Sequence, residues 1–234
     1  MNVIVRNIPN SITCLNVAAG VLSIICASQG SEELWGMAAY NWAYIFIGIA
    51  AVADFLDGFM ARLLHAYSNL GKELDSLCDM VSFGVAPAII MFNCLDATSA
   101  SEWVKWLVPV IPVFGALRLA RFNIDTRQTT SFIGLPIPAN AIFWIGYSAL
   151  CYEGTGFMST GAWAAAAILI ESWLMVSPVR LFSLKFKTWG WKGNQWRWLL
   201  IVTAVALVFC MGVPGLMWLI IAYVLYGLFD SVRN

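Results

Sequence analysis

Residues 198–229 read WLLIVTAVALVFCMGVPGLMWLIIAYVLYGLF and carry no charged side chain. One continuous helix of that length would rise about 48 Å, well beyond the ~30 Å hydrocarbon core of a bilayer. Gly212-Val213-Pro214-Gly215 at its centre has turn chemistry, so the stretch predicts two membrane spans, 195–212 and 215–230, joined by a tight turn. Working outward, charge-poor runs recur at 8–28, 35–56, 72–94, 103–122, 135–152 and 158–180. Eight spans in 234 residues leave no room for a large soluble domain. Composition agrees, with 61% hydrophobic and 11% charged positions and a mean hydropathy of +0.78. The expected fold class is an all-α, polytopic membrane helical bundle of about eight transmembrane helices. No repeat or low-complexity linker divides the chain, so 1–234 is expected to form one integral membrane domain.

Thirteen basic and thirteen acidic residues cancel, which argues against a nucleic-acid binder that works by neutralising phosphates. Arg6 followed by an uncharged run to Ser28 has the outline of a cleaved signal; with seven further hydrophobic segments behind it, it is expected to be a retained first span. If eight spans alternate from a cytoplasmic N-terminus, twelve of the thirteen Lys and Arg fall on the cytoplasmic side and only Lys105 falls outside. That asymmetry predicts an integral, multi-pass protein with its basic loops at 58–71, 123–134 and 182–195 in the cytoplasm. In the segment 182–198, Lys185, Lys187, Lys192 and Arg197 are interleaved with Trp189, Trp191, Trp196 and Trp198, a pattern suited to the headgroup layer of membrane lipids. Six scattered cysteines without a CxxC pair read as buried small apolar residues rather than metal ligands or disulfides.

Against this background four carboxylates stand out: Asp54-x2-Asp57-Gly58-x2-Ala61-Arg62-x8-Gly71-x3-Asp75-x3-Asp79. Spacings of three and four place Asp54 with Asp57 on one helix face, and Asp75 with Asp79 on another, at the cytoplasmic ends of the second and third spans. Four carboxylates at a membrane interface repel one another and lose hydration unless cations offset them, and Arg62 and Lys72 are too few. A divalent metal is the economical solution, and all-oxygen ligands without His or Cys favour Mg²⁺, Mn²⁺ or Ca²⁺ over zinc. Two such ions about 4 Å apart can hold both the attacking and the leaving oxygen of a phosphoryl displacement. Gly58 and Ala61 leave the backbone bare one turn beyond the first pair, and Gly71 breaks the chain before the second.

The string from Asp54 to Asp79 resembles, at every motif position, the signature of the CDP-alcohol phosphatidyltransferases, membrane enzymes that displace CMP from a CDP-linked lipid with an acceptor hydroxyl. The resemblance implies a six-helix catalytic core over 1–181, with 182–234 adding the basic, Trp-rich loop and two C-terminal helices. It implies that Asp54, Asp57 and Asp75 bind Mg²⁺ or Mn²⁺, expected as two ions, and that Asp79 is a further ligand or the base that takes the acceptor's proton. Asn10, Thr13, Gly58, Ala61, Arg62 and Gly71 are the implied nucleotide-binding residues. A homodimer in the inner membrane of a prokaryote is also implied.

Shorter segments, Ile8-Pro9-Asn10-Ser11-Ile12-Thr13, Leu117 to Asn123, Phe132 to Ala139 and Met175-Val176-Ser177, resemble the branch of that family whose substrates are CDP-diacylglycerol and L-serine. Arg118 and Arg121, three apart at the cytoplasmic end of the fourth span, are positioned to grip an anionic acceptor group together, with Asn123 as an additional amide contact. Glycerol 3-phosphate or an inositol phosphate would be the alternative acceptors. An ion or proton transporter is disfavoured, because the four aspartates gather at one face rather than at the bilayer midplane and no inverted repeat is visible. Glu171, in mid-span, reads as an interhelical bonding group, Asp230 as a solvated carboxylate, and His65 as an inner-loop residue without a catalytic role.

Overall fold

The computed structural model describes residues 3–98, 102–125, 131–154, 161–183, 190–191 and 193–233. Eight helices carry the fold: α1 (Val3–Ala27), α2 (Ala39–Leu63), α3 (Asn69–Ala97), α4 (Glu102–Ile124), α5 (Ile137–Tyr152), α6 (Gly161–Val176), α7 (Gln195–Met211) and α8 (Gly215–Arg233). The first four are long and apolar enough to cross a bilayer; α6, α7 and α8 are shorter apolar helices. The expected all-α bundle is therefore the architecture of this multi-pass membrane protein. The turn expected at 212–215 lies between α7 and α8, where Gly212 adopts a φ of 65° that side-chain-bearing residues rarely take.

Both boundaries of the second span differ from the sequence expectation by several residues. The second span, expected to end at 56, continues as helix to Leu63, because its polar residues satisfy themselves without leaving helical geometry: Arg62 Nε donates to the Gly58 carbonyl at 2.9 Å. Asp54 and Asp57 thus project from within α2 rather than from its end. The same span begins at Ala39 instead of 35, since Glu33–Leu34 (β1) and Met37–Ala38 (β2) pair across a Trp35-Gly36 turn in which both residues have positive φ.

The third span widens into a π-helix over Met80–Val85, directly after Asp79. Pro87 supplies the cause, since it has no N–H to return to the preceding turn, and the Ala86 N–H reaches back five residues to the Val81 carbonyl instead. The widened segment lies against α1 so closely that a Cβ on Gly20 would overlap Ser82. Ser82 Oγ in turn donates to the Asn16 carbonyl at 3.0 Å.

α5 occupies the middle of the bundle, with Trp144 and Tyr147 almost fully enclosed and Ser148 Oγ 2.8 Å from Tyr44 Oη of α2. α8 packs on α5 so tightly that Gly146 admits no Cβ beside the Met217 backbone. At one end of the bundle Lys105 pairs with Asp96 at 2.6 Å and Glu102 at 3.0 Å. The other end is tied together by basic side chains. Lys72 Nζ donates to the Asn123 carbonyl at 2.7 Å, and Arg121 Nη1 to Val176 O at 3.0 Å. Strand β3 (Ser131–Ile133) pairs antiparallel with β4 (Arg180–Phe182) at this end. Arg127 and the Lys and Trp residues at 185–189 and 192 lie outside the described residues.

Candidate active site

Three helices converge at the basic end: the first half of α1, the second half of α2 and the start of α3. α3 begins where Ser68, in extended conformation, accepts the Gly71 N–H at 2.9 Å as N-cap, setting the register that turns Asp75 and Asp79 inward. Carboxylate oxygens of Asp54, Asp57 and Asp75 come within 4.8 Å of one another. Asp79, one turn deeper on α3 and buried, stands outside that triplet and accepts from Asn16 Nδ2 at 3.2 Å.

The donor set fits a divalent cation. Asp54 and Asp75 bring their carboxyl groups to hydrogen-bonding distance of each other, an arrangement two ionised groups cannot sustain without a proton or a cation between them. Asp75 Oδ1 is buried and has no hydrogen-bond partner. None of the four aspartates makes an ion pair with a described basic side chain. Arg118, buried on α4, adds positive charge in the vicinity of Asp54 and Asp79 without pairing with either. Three hard oxygen donors with an orphaned atom among them suit Mg²⁺ or Mn²⁺ geometry.

Beside the triplet lies a cavity of about 220 Å³. Of the six residues expected to contact a nucleotide, five line it (Asn10, Thr13, Gly58, Ala61 and Gly71), and Asp57 and Asp75 share the wall. A Cβ on Gly58 would meet nothing within 4 Å, so the space there belongs to the cavity, whereas one on Gly71 would crowd Asn10 Oδ1 and Ser68 Oγ at 3.0 Å. Arg62 is not on this wall; it is exposed and bonded to its own helix. Tyr67, Ser68 and Lys72 also line the cavity, although nothing in their spacing had marked them.

A second cavity, about 540 Å³, opens between α4 and the end of α6, and Arg118 and Arg121 are on its wall with Met175, Val176 and Ser177. The two arginines differ in setting. Arg118 is buried with its guanidinium 4.9 Å from the Phe122 ring, and Arg121 is exposed and anchored to Val176. Asn123 is absent from this wall. Its amide donates to Ser76 Oγ at 2.9 Å, which makes it a tie between α4 and α3. Glu171 is buried in α6 with Oε2 unpartnered, and His65 is exposed with a φ of 50°.

The sequence model of the CDP-alcohol phosphatidyltransferase family matches residues 6–183, about three quarters of the chain. The chain belongs to this family. The matched span contains every helix that contributes to the two cavities and ends just before α7 and α8. Among curated proteins, a CDP-diacylglycerol–serine O-phosphatidyltransferase of Mycobacterium leprae is 36% identical over 74% of this chain and 57% of its own length. The enzyme of the same name from Helicobacter pylori is 31% identical, covering 94% of this chain and 89% of the relative. That of Methanocaldococcus jannaschii is 31% identical over 97% and 95%. The chain thus spans under three fifths of the mycobacterial relative and nearly the whole of the other two.

Proposed function

We propose that this protein transfers the phosphatidyl group of CDP-diacylglycerol to the hydroxyl of L-serine and releases CMP. The observation that carries the proposal is the junction of three clustered aspartates with a cavity lined by five of the six residues expected at the nucleotide. The relatives are named as serine O-phosphatidyltransferases, which supports serine as the acceptor. Asp54, Asp57 and Asp75 would hold Mg²⁺ or Mn²⁺, with Asp79 completing a second ion's ligands if two are bound. When bound, the metal offsets the charge of the pyrophosphate and of the departing nucleotide phosphate.

The chain's own groups do the remaining work. Thr13 orients Asp57 and Asn16 orients Asp79 through their hydrogen bonds. The bare backbone at Gly58 and Ala61 admits the nucleotide. Arg118, with Arg121 beyond it, grips the serine carboxylate and aims the hydroxyl at the lipid-side phosphorus. As the serine oxygen bonds to that phosphorus, the bond to the CMP oxygen breaks, CMP leaves with the electron pair, and Asp79 takes the hydroxyl proton. The basic end of the bundle faces the cytoplasm of a prokaryotic plasma membrane, and the protein works as a homodimer.

The test is CMP release by the purified protein given CDP-diacylglycerol, Mn²⁺ or Mg²⁺, and serine or glycerol 3-phosphate. Release with serine is expected; release with glycerol 3-phosphate alone would refute the acceptor.

A further inference from the structure

We propose that Tyr67 is the platform on which the pyrimidine base of the nucleotide stacks, so that the cavity of about 220 Å³ takes the nucleoside while the aspartates take the phosphates. This rests on the assignment of that cavity to the nucleotide.

Of the seven tyrosines, six are engaged inside the bundle or at its seams. Tyr40, Tyr44, Tyr147, Tyr152, Tyr223 and Tyr226 each pack against another aromatic ring. Tyr67 alone has neither a ring contact nor a hydrogen bond among the described residues, and it is 69% exposed. It is also the one aromatic side chain on the wall of the cavity beside the aspartate triplet.

The backbone holds Tyr67 in place from both sides. After α2 the chain reverses at His65, whose φ is 50°, and the Ala66 N–H returns to the Ala61 carbonyl at 3.0 Å. Ala66 is buried, and on the other side Ser68 caps α3 through the Gly71 N–H. Tyr67 is therefore fixed at its backbone between two anchored residues, beside the end of α2 that carries Gly58 and Ala61, while its ring is left without a protein partner.

A tyrosine at a membrane surface commonly anchors the protein in the headgroup layer. That role requires no cavity, and it does not explain why the ring shares a wall with Asp57 and Asp75. The cavity is smaller than the roughly 300–1,000 Å³ of a pocket that encloses a whole ligand, so it accommodates one part of the nucleotide. With the pyrophosphate drawn to the aspartates and their cation, the part left for the remaining wall is the nucleoside. Its base is flat and uncharged, and an aromatic face binds such a group without any hydrogen-bond readout. Gly58, where a Cβ would meet nothing within 4 Å, leaves the floor of the cavity open to a flat group.

The test is calorimetric binding of CMP to the full-length protein with Mn²⁺, alongside steady-state kinetics. Tyr67→Ala is expected to weaken CMP by about 5- to 100-fold and to raise the KM for CDP-diacylglycerol in step, with the KM for serine unchanged. Tyr67→Phe keeps the ring and is expected to bind CMP as the unmodified protein does. If Tyr67→Ala leaves CMP affinity unchanged, the ring is a headgroup anchor and the proposal fails while the nucleotide assignment stands. If Tyr67→Phe binds CMP as weakly as Tyr67→Ala, the hydroxyl is what matters and stacking is refuted. An equal rise in the KM for serine makes Tyr67 a structural residue of its loop, which also overturns the proposal. If the unmodified protein binds no CMP, the nucleotide assignment fails first and takes this proposal with it.

Discussion

Thr13 Oγ1 lies 2.6 Å from Asp57 Oδ2, joining α1 to the carboxylate cluster across 44 residues of sequence. A short hydroxyl-to-carboxylate bond of this kind holds the carboxylate in one orientation and leaves its other oxygen for a cation. Thr13→Val keeps the shape and removes the donor. It is expected to raise the Mn²⁺ concentration needed for half-maximal activity by about 10- to 100-fold. Metal titration of activity, with calorimetric Mn²⁺ binding as a second readout, checks this; unchanged metal affinity would show that the bond is incidental.

Substituting Asn for Asp54, Asp57 or Asp75 should abolish CMP release while the protein still inserts and purifies, since each removes a charge from a site where anionic pyrophosphate must bind. The unpartnered Asp75 Oδ1 makes Asp75 the most informative of the three. Excess EDTA should have the same effect on the unmodified protein, and full activity in EDTA would end the metal assignment.

Gly134 adopts a φ of 77° at the end of β3, and a Cβ there would collide with the Met175 carbonyl. Gly134→Ala therefore combines backbone strain with a steric clash beside the larger cavity. A loss of about 1–3 kcal/mol is expected, which lowers the melting temperature by about 2–4 °C per kcal/mol for a chain of this size. Thermal unfolding in detergent measures it.

Much of this site is legible in the sequence because its residues lie within two short runs on adjacent helices. Asp54, Asp57 and Asp75 come together as the family resemblance implies, and Asn10 and Thr13 reach the same cavity from α1. Asn16 was legible in principle, one turn after Thr13 on the same face, but an amide in an apolar span carries no partner's name until the fold brings Asp79 beside it. Charge does not mark the end of α2, because Asp57 is buried within the bundle and the helix continues past it to Leu63. Two-residue strands such as β1 and β2 are too short for any alternation to show. The π-helix was hidden in plain composition; only Pro87 hinted that the third span could not run as a regular helix.

Orientation in the membrane is open to chemical labelling. A single cysteine at position 65, in a protein otherwise lacking cysteine, occupies an exposed turn at the basic end. The basic-residue asymmetry predicts that an impermeant maleimide labels it only after the cells are opened. Labelling in intact cells would invert the topology.

Asp79 separates two accounts of the chemistry. It is buried beside the three-carboxylate cluster yet outside it, and it accepts a hydrogen bond from Asn16 Nδ2 through Oδ1 at 3.2 Å. A serine hydroxyl, with a pKa far above 7, is a weak nucleophile until its proton is drawn off, and a positioned base is typically worth about 10²- to 10⁴-fold in rate. If Asp79 is that base, Asp79→Asn should lower kcat by about that factor while CDP-diacylglycerol and Mn²⁺ still bind with near-normal affinity. Asn16→Leu, which leaves the carboxylate in place but frees its orientation, should give a smaller loss of kcat with KM for both substrates little changed. If Asp79→Asn instead abolishes nucleotide and metal binding together, Asp79 belongs with Asp54, Asp57 and Asp75 as a ligand, and the proton must leave by another route.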